Sequence, residues 1–306
     1  MTTLLFTGGG GAGSEALARL LAPNYTAHFA DADPGARPHG VAPDRWHVIP
    51  LASDPEFVPR LAALCAALDV DLLIPGVDEE LLSLAQASMP CAVLLPPAPF
   101  VATHLDKLDS MRDLERYVAV PRTERADRQR WVGYPCVVKP RHGRGSRGVA
   151  VVRSDWERDA HFRPSCLPDS AFVVQEKLEG QEYTVTVAAD RAGRLRAVVP
   201  VRVELKRGIT IRARTHHDPD VVRMCERIHA ANPVPGVYNV QCIKTASGVF
   251  PFEVNPRVST TLCLAVAAGA DVIGAYLATG YEPLPLKFRD GVELRRSWHN
   301  EFREAA

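Results

Sequence analysis

The chain of 306 residues carries 36 basic and 36 acidic side chains, and 46% of its residues are hydrophobic. A formal net charge of zero excludes the long-range basic field on which nonspecific nucleic-acid binders rely. No uncharged stretch approaches the roughly 20 residues that cross a bilayer, and no basic segment precedes an apolar one at the N-terminus. These features predict a cytoplasmic protein of enzyme size, with about two domains and with neither nucleic acid nor membrane as a partner.

The cysteines are scattered, without a Cys-x-x-Cys pair or a close cluster with histidine, and most of them lie in apolar runs. This pattern indicates buried free thiols in a reducing compartment rather than a disulfide framework or a zinc site. The seven are Cys65, Cys91, Cys136, Cys166, Cys225, Cys242 and Cys263.

The first third of the chain alternates strand and helix patterns. TLLFTGGGGAGSEALARLLA predicts a buried strand, a glycine turn and a helix, and YTAHFADAD predicts a second strand that ends near Asp31 and Asp33. FVPRLAALCAALDV predicts a helix, DLLIPGVDEELLSLAQAS a strand and a helix, and CAVLLP a further strand. Such an alternation predicts a parallel sheet with right-handed crossovers.

From about residue 105 the pattern changes to paired strands and turns, which predict a second, largely antiparallel unit. DPDVVRMCERIHAAN predicts a helix capped by Asp218, VYNVQCIK and VFPFEVN predict strands, and one last helix is expected from Thr261 to Leu277.

Two glycine clusters have features of phosphate-binding loops. GGGGAG, residues 8–13, follows a strand, precedes a helix and has acidic residues about 20 positions later, as in a dinucleotide fingerprint, so an NAD-dependent dehydrogenase is one alternative. Such a turn also holds other anions or none. In VVKPRHGRGSRGVAVV a strand ends at Lys139 and a loop rich in donors leads to the next strand, which favours polyphosphate capture over an exposed basic turn. The loop does not lead into a helix, so a Walker-type site is disfavoured.

The stretch FPFEVNPRVSTT places Glu253, Asn255 and Arg257 in alternation. In an extended strand these three side chains share one face, which would suit a metal-bound anion. The alternative is an edge strand whose polar face is solvated.

Taken together, Lys107 in LDKLDSM, Lys139 with its glycine loop, QEKLEGQEYTV, YNVQC and FEVNPRVS resemble the ATP-grasp superfamily over residues 105 to 262. The closing motifs look most like a synthetase domain of the carbamoyl-phosphate synthase large subunit. The resemblance implies an α/β N-terminal parallel-sheet (pre-ATP-grasp) domain, residues 1–104, followed by an α+β ATP-grasp fold, residues 105–306. Residues 120–180 would form the lid subdomain over the nucleotide.

The resemblance also implies site residues and cofactors. Gln241, Glu253 and Asn255 are similar to ligands for Mg²⁺ or Mn²⁺. Arg257 resembles the arginine that stabilises the transferred phosphoryl group, with Lys139 beside it. The residues expected to contact ATP are Lys107, Arg122, Lys139, Gly143, Gly145, Ser146, Gly148, Gln175, Glu176, Leu178 and Glu182.

These features predict an ATP-dependent carboxylate–amine ligase that works through an acylphosphate and releases ADP and phosphate. Its partners would be small-molecule carboxylate and amine substrates and a second copy of the chain in a homodimer. The alternation of charged residues along one predicted strand indicates substrate-binding residues, namely Glu204, Lys206, Arg212 and Arg214. Bicarbonate activation is an alternative, but the presence of Glu204 and Lys206 argues against it. A catalytically silent nucleotide-binding module is a further alternative.

Overall fold

The computed structural model describes residues 1–127, 133–162, 167–278 and 286–298. Its strands are β1 (Thr2–Thr7), β2 (Tyr25–Asp31), β3 (Trp46–Val48), β4 (Leu72–Ile74), β5 (Ala92–Val93), β6 (Thr123–Arg125), β7 (Cys136–Pro140), β8 (Ala150–Val152), β9 (Phe172–Glu176), β10 (Gln181–Ala189), β11 (Leu195–Arg207), β12 (Ile209–Thr215), β13 (Gly236–Thr245), β14 (Gly248–Asn255) and β15 (Glu293–Arg295). Its α-helices are α1 (Ser14–Leu21), α2 (Phe57–Ala67), α3 (Asp78–Gln86), α4 (Ala98–Leu105), α5 (Lys107–Leu114), α6 (Asp155–Phe162), α7 (Pro219–Ala231), α8 (Leu262–Ala267) and α9 (Val272–Leu277). Within the described ranges, no helix combines the length and apolar character that a membrane span requires.

The first five strands form a parallel sheet in the order β3-β2-β1-β4-β5, as the alternation of strands and helices predicts. Leu5, Leu61 and Leu81 belong to the core on one face of this sheet, and Leu4 and Leu17 to the core on the other. The chain leaves β1 and β4 in opposite lateral directions, so a crevice opens where these two strands end. The glycine turn after β1 and the first turn of α3 flank that crevice.

The second unit is a six-stranded antiparallel sheet in the order β14-β13-β10-β11-β12-β15. Helices α5 and α7 contribute to its main core around the fully buried Tyr238. Asp218 caps α7 as expected, because its carboxylate accepts from the backbone of Asp220 and Val221. Strand β14 lies at the edge of the sheet, so one side of it is open to other parts of the molecule.

A four-stranded antiparallel sheet in the order β6-β9-β7-β8 stands apart, with α6 against it. Its core is small and includes Cys136, Val138 and Phe172. The basic glycine-rich loop joins β7 to β8, as the sequence predicts. The proposed boundaries of the domains and of the lid stay predictions.

Two predictions about local structure are wrong. The helix expected from Thr261 to Leu277 is broken into α8 and α9, because Gly269 adopts a φ of +96° that ends the first helix. The segment expected to carry Glu204 to Arg214 on one strand is a hairpin of β11 and β12, which reverses at Gly208 with a φ of +71°.

The C-terminal helices pack on the first domain. Residues from β1, α8 and α9 belong to one hydrophobic core, and Tyr25 donates a hydrogen bond to Asp271 over 2.7 Å. The first domain and the large antiparallel sheet are therefore held together by apolar burial, which fixes the crevice of the first domain opposite the second unit. The six cysteines within the described ranges are free thiols, and all but Cys91 are buried; Cys166 lies outside those ranges.

Candidate functional site

A cleft of about 710 Å³ runs between the first domain, the large antiparallel sheet and the small one. The glycine turn after β1 and the residues after β4 line one half, and the basic loop, β9, β13 and β14 line the other. Most of the residues predicted from the sequence to contact ATP or metal line this cleft. They are Lys107, Lys139, Gly143, Gly145, Ser146, Gln175, Glu176, Leu178, Gln241, Glu253, Asn255 and Arg257.

Four residues of the glycine-rich loop have a left-handed backbone conformation. Gly143, Gly145, Ser146 and Gly148 have φ values of +117°, +67°, +59° and +67°. A side chain at Gly143 or Gly145 would meet no atom within 4 Å, so backbone conformation and not space selects glycine there. Positive-φ turns of this kind often form anion-binding concavities of backbone amides, and residues 143–147 line the cleft.

The base of this loop is docked on the start of α5. Arg141 contacts the helix-capping carboxylate of Asp106 through both Nε (3.1 Å) and Nη2 (2.5 Å). The ammonium of Lys107 donates to the carbonyl oxygen of Gly143 over 2.7 Å. Burial is the largest single influence on Asp106 and would raise its pKa, but the hydrogen bonds from Arg141 and from the backbone of Leu108 and Asp109, with the charge of Arg141, together lower that pKa. The loop is thus held at its first residues, while its tip faces the cleft.

Lys139 is a buried lysine at the centre of the site. Its ammonium donates to Gln175 Oε1 over 2.9 Å and to the carbonyl oxygen of Phe252 over 3.0 Å. Burial, together with the charges of Lys107 and Lys206, lowers the pKa of Lys139 to about 8 against the opposing charge of Glu253. An ammonium has three N–H groups, so one remains for a ligand. A phosphate in the cleft would stabilise the charged form.

The metal-ligand candidates stand on neighbouring strands. Gln241 on β13 lies directly opposite Glu253 on β14, and Asn255 lies opposite Asn239. The pairing shifts between Gln241 and Cys242, where β14 has one extra residue, Phe252. This bulge interrupts the alternation of side chains, so Phe252 and Glu253 both line the cleft.

These donors fit a magnesium or manganese ion. A carboxylate and two amide oxygens form an oxygen-only set, which hard divalent cations prefer, and nucleotide phosphates commonly complete such a set. The ammonium of Lys206 lies in the same place, since it donates to Gln241 Oε1 over 2.9 Å and to Glu182 Oε1 over 2.6 Å. Lys206, predicted for the substrate, therefore lies among the residues predicted for nucleotide and metal.

Arg257 reaches the cleft from beyond the strand. Strand β14 ends at Asn255, and the chain turns so that the amide of Arg257 donates to the carbonyl oxygen of Asn255 over 2.8 Å. The Arg257 guanidinium donates through Nε to Asp78 of the first domain over 2.5 Å and through Nη1 to the carbonyl oxygen of Val258 over 2.9 Å. The face shared by residues 253, 255 and 257 is thus produced by a strand and a turn together.

The glycine loop also touches the first domain. Arg144 donates to Glu79 over 2.9 Å, beside the Arg257–Asp78 pair. Burial is the largest single influence on Glu79 and would raise its pKa, but the hydrogen bond from Arg144, a backbone hydrogen bond and the charges of Arg144 and Arg147 together lower it. The first turn of α3 thus contacts both the loop and the arginine predicted to stabilise phosphoryl transfer.

Other predicted nucleotide residues lie around β9. Gln175 is buried and donates to Thr123 Oγ1 over 2.9 Å, so its contacts are to protein groups. Arg122 does not line the main cleft, because its guanidinium pairs with Glu124 over 2.6 Å at a smaller neighbouring pocket. Gly148 and Glu182 do not line the cleft either, although Glu182 contacts Lys206, which does.

Three of the four residues predicted for the substrate lie together outside the cleft lining. Glu204 pairs with Arg214 over 2.6 Å and with Arg212 over 3.0 Å on the surface of the β11–β12 hairpin. The pairing with Arg214 lowers the pKa of Glu204. Their role towards a substrate stays a prediction.

The first-domain half of the cleft is formed by the crevice at the ends of β1 and β4. The amide of Gly10 donates to Asp31 Oδ2 over 2.9 Å, so this carboxylate fixes the glycine turn. Glu80 accepts from Thr7 and from the amides of Gly76 (2.9 Å) and Val77 (3.0 Å). Burial raises the pKa of Glu80 to about 7 against these hydrogen bonds. The carboxylate of Glu80 anchors the first turn of α3 to β1.

A sheet-based site under a glycine loop, with a parallel first domain against it, is the arrangement of the ATP-grasp fold. Residues 169–294 match the family model described as "ATP-grasp in the biosynthetic pathway with Ter operon". The narrower resemblance to carbamoyl-phosphate synthase stays a prediction.

Curated relatives match parts of the chain. A formate-dependent phosphoribosylglycinamide formyltransferase from Bifidobacterium adolescentis is 29% identical over 60% of this chain and 49% of its own length. A D-alanine–D-alanine ligase from Thermotoga maritima is 33% identical over 29% of this chain and 30% of its own length. The chain therefore spans half or less of the curated relatives it matches.

A solved structure shows the same fold over nearly all of the chain. The N5-carboxyaminoimidazole ribonucleotide synthetase of Thermus thermophilus superposes with a TM-score of 0.68, and the match covers 95% of this chain and 81% of that one at 18% identity. The fold predicted from the sequence, a parallel-sheet domain followed by an ATP-grasp domain, is confirmed.

Proposed function

We propose that the chain is an ATP-dependent ligase that joins a small carboxylate to an amine through an acylphosphate, with release of ADP and phosphate. The observation that carries this proposal is the convergence of Lys139, Lys206, Glu253 and Arg257 on one cleft beneath a glycine-rich loop. Phosphoryl transfer requires neutralised charge and in-line positioning more than covalent chemistry by the protein. The charged groups that line this cleft support such a role.

Each group has a role in the first step. Lys107, Lys139 and Lys206 neutralise the phosphates of ATP, and the amides of the loop donate to them. A carboxylate oxygen of the substrate attacks the γ-phosphorus, the bond from that phosphorus to the bridging oxygen breaks, and ADP leaves with the electron pair. Gln241, Glu253 and Asn255 would hold a divalent cation that neutralises phosphate charge. Arg257 stabilises the charge on the transferred group.

In the second step the amine nitrogen attacks the carbonyl carbon of the acylphosphate. The carbon–oxygen bond to phosphate breaks, inorganic phosphate leaves, and the nitrogen loses a proton. Water would destroy the acylphosphate, so the loop has to cover it during this step. In this structure the loop contacts Lys107 of α5 and, through Arg144, Glu79 of α3.

The first-domain half of the cleft is the place we assign to the acceptor. Phe6, Leu17 and Ile49 give it apolar walls, and Asp31 and Asp33 stand at its side. Apolar walls with carboxylates suit an amine that carries an apolar part. The names of both curated relatives include a small carboxylic acid, formate in one and D-alanine in the other, which supports a small carboxylate as the phosphorylated substrate.

A screen of ADP release tests this proposal. Pairs of amino acids and small carboxylates are supplied with Mg²⁺ and ATP, and products are identified by mass. We expect ADP release that requires a carboxylate and an amine, with a product lighter by one water than the sum of the two. ADP release with bicarbonate alone would instead favour bicarbonate activation. Nucleotide binding without turnover in any pair would favour a silent module.

A further inference from the structure

The first turn of α3 belongs to the first domain, yet it makes the closest contact to the proposed phosphoryl-stabilising arginine. Asp78 and Arg257 are 179 positions apart in the sequence, and their side chains are only 13% and 12% exposed. Arg257 lines the cleft, whereas Asp78, within the part of the chain that the structure describes, does not. The carboxylate therefore contacts the guanidinium from behind.

The contact leaves the ligand side of the guanidinium available. Of its five N–H groups, Nε donates to Asp78 and one N–H of Nη1 donates to the carbonyl oxygen of Val258. Three N–H groups remain, and within the described residues they have no protein acceptor. Because two edges of the planar group are fixed, its orientation is set before a phosphoryl group arrives.

The turn that carries Asp78 is connected to the end of β1 by hydrogen bonds. Glu80, in the first turn of α3, is buried and accepts from Thr7, Gly76 and Val77, which joins the turn to the end of β1. Glu79, the next residue after Asp78, holds Arg144 of the glycine loop. Asp78 is thus mounted on a fixed element of the first domain that also contacts the loop.

Resting on the proposed function, we propose that Asp78 is a positioning residue that orients Arg257 towards the γ-phosphoryl group of ATP. The phosphoryl end of the site is then built from both domains. An isolated ATP-grasp domain would keep Arg257 but lose its orientation.

Nucleotide binding tests this proposal without knowledge of the acceptor. Dissociation constants for Mg²⁺-ADP and for Mg²⁺ with a non-hydrolysable ATP analogue that bears a γ-phosphoryl group are measured by calorimetry. In the Asp78→Ala variant we expect the analogue to bind about tenfold more weakly and ADP to change less than twofold, since a charge-assisted hydrogen bond is worth about that much. Asp78→Asn, which keeps an acceptor oxygen for Nε, is expected to recover part of the loss.

A double-mutant cycle separates positioning from general damage. Once Arg257 is replaced by alanine, Asp78→Ala is expected to have no further effect on binding of the analogue. Asp220→Ala is the matched control, because Asp220 also lies in the first turn of a helix and pairs with Lys244 over 2.9 Å, outside the cleft lining. This control is expected to change neither constant, and a thermal melt checks that each variant is folded.

The outcomes distinguish the two proposals. Equal weakening of ADP and analogue, additive effects in the cycle, or tighter binding of the analogue by Asp78→Ala would overturn the positioning role alone. Failure of the wild-type protein to bind either nucleotide would overturn the proposed function and the positioning role with it.

Discussion

On the proposed function, Lys139 is expected to make nucleotide binding sensitive to pH in a defined direction. Burial holds its pKa near 8 in the absence of ligand, with Lys107 and Lys206 adding to the effect. Phosphate binding favours the ammonium form, so the bound state has the higher pKa and binding takes up a proton above pH 8. Affinity is therefore fully present below the ligand-free pKa and is lost as the pH rises through it.

The size of the effect follows from the fraction of protein with a charged Lys139. With a pKa of about 8, that fraction falls from roughly 0.8 at pH 7.5 to roughly 0.03 at pH 9.5, so the apparent Kd for ADP rises roughly 25-fold. At pH 9 binding takes up roughly 0.9 proton. Both pH values lie above the range in which phosphate groups titrate, so the nucleotide charge stays constant.

Calorimetry in two buffers of different ionisation enthalpy measures the affinity and the proton uptake together. Lys139→Arg is the control, because a guanidinium stays charged at both pH values. The variant is expected to bind with an affinity that is almost independent of pH, even if it binds more weakly. A wild-type affinity that changes less than threefold, or the same pH dependence in Lys139→Arg, would refute the argument.

Three further predictions concern the metal, the loop and the fold. Glu253→Gln and Asn255→Ala are expected to stay folded and to lose metal-dependent turnover on the order of 100-fold, because each removes an oxygen ligand or its charge; wild-type rates at limiting Mg²⁺ would contradict the metal assignment. Cleavage by trypsin after Arg144 and Arg147 is expected to slow when Mg²⁺-ATP is added, because the loop closes on the phosphates; unchanged digestion would argue against a lid. Glu80 has a pKa of about 7 when folded, so its contribution to stability is present below the unfolded pKa of about 4.5 and declines as the pH rises through 7. Relative to wild type, the free energy of unfolding of Glu80→Gln is expected to rise by about 3 kcal/mol between pH 4 and pH 8, as measured by denaturant unfolding. A difference in unfolding free energy that stays constant over this range would show that the protonation of this carboxylate is not linked to folding.

Local patterns in the sequence were sufficient for most of the fold. The alternation of strand and helix before residue 105 predicted the parallel sheet, and period-two runs predicted β13 and β14. Asp218 at a helix start predicted a cap that the structure contains. These features depend on neighbours in the chain, so a single sequence carries them.

The site could be predicted only in part, because its remaining features depend on distant residues. The bulge at Phe252 is set by pairing with β13, and the alternation of residues in β14 gave no sign of it. The contact of Arg257 with Asp78 joins two domains, and no pattern in either segment indicates the other. Arg212 and Arg214 have the spacing of a substrate-binding strand, but the hairpin places them beside Glu204, away from the cleft lining.

The proposed function requires that the γ-phosphoryl group pass to an oxygen of the carboxylate substrate. Once the screen has identified a productive pair, the carboxylate is labelled with ¹⁸O and the released phosphate is analysed by ³¹P NMR or mass spectrometry. An acylphosphate intermediate predicts that each phosphate carries one oxygen from the carboxylate. Unlabelled phosphate released together with amide product and ADP would contradict the account.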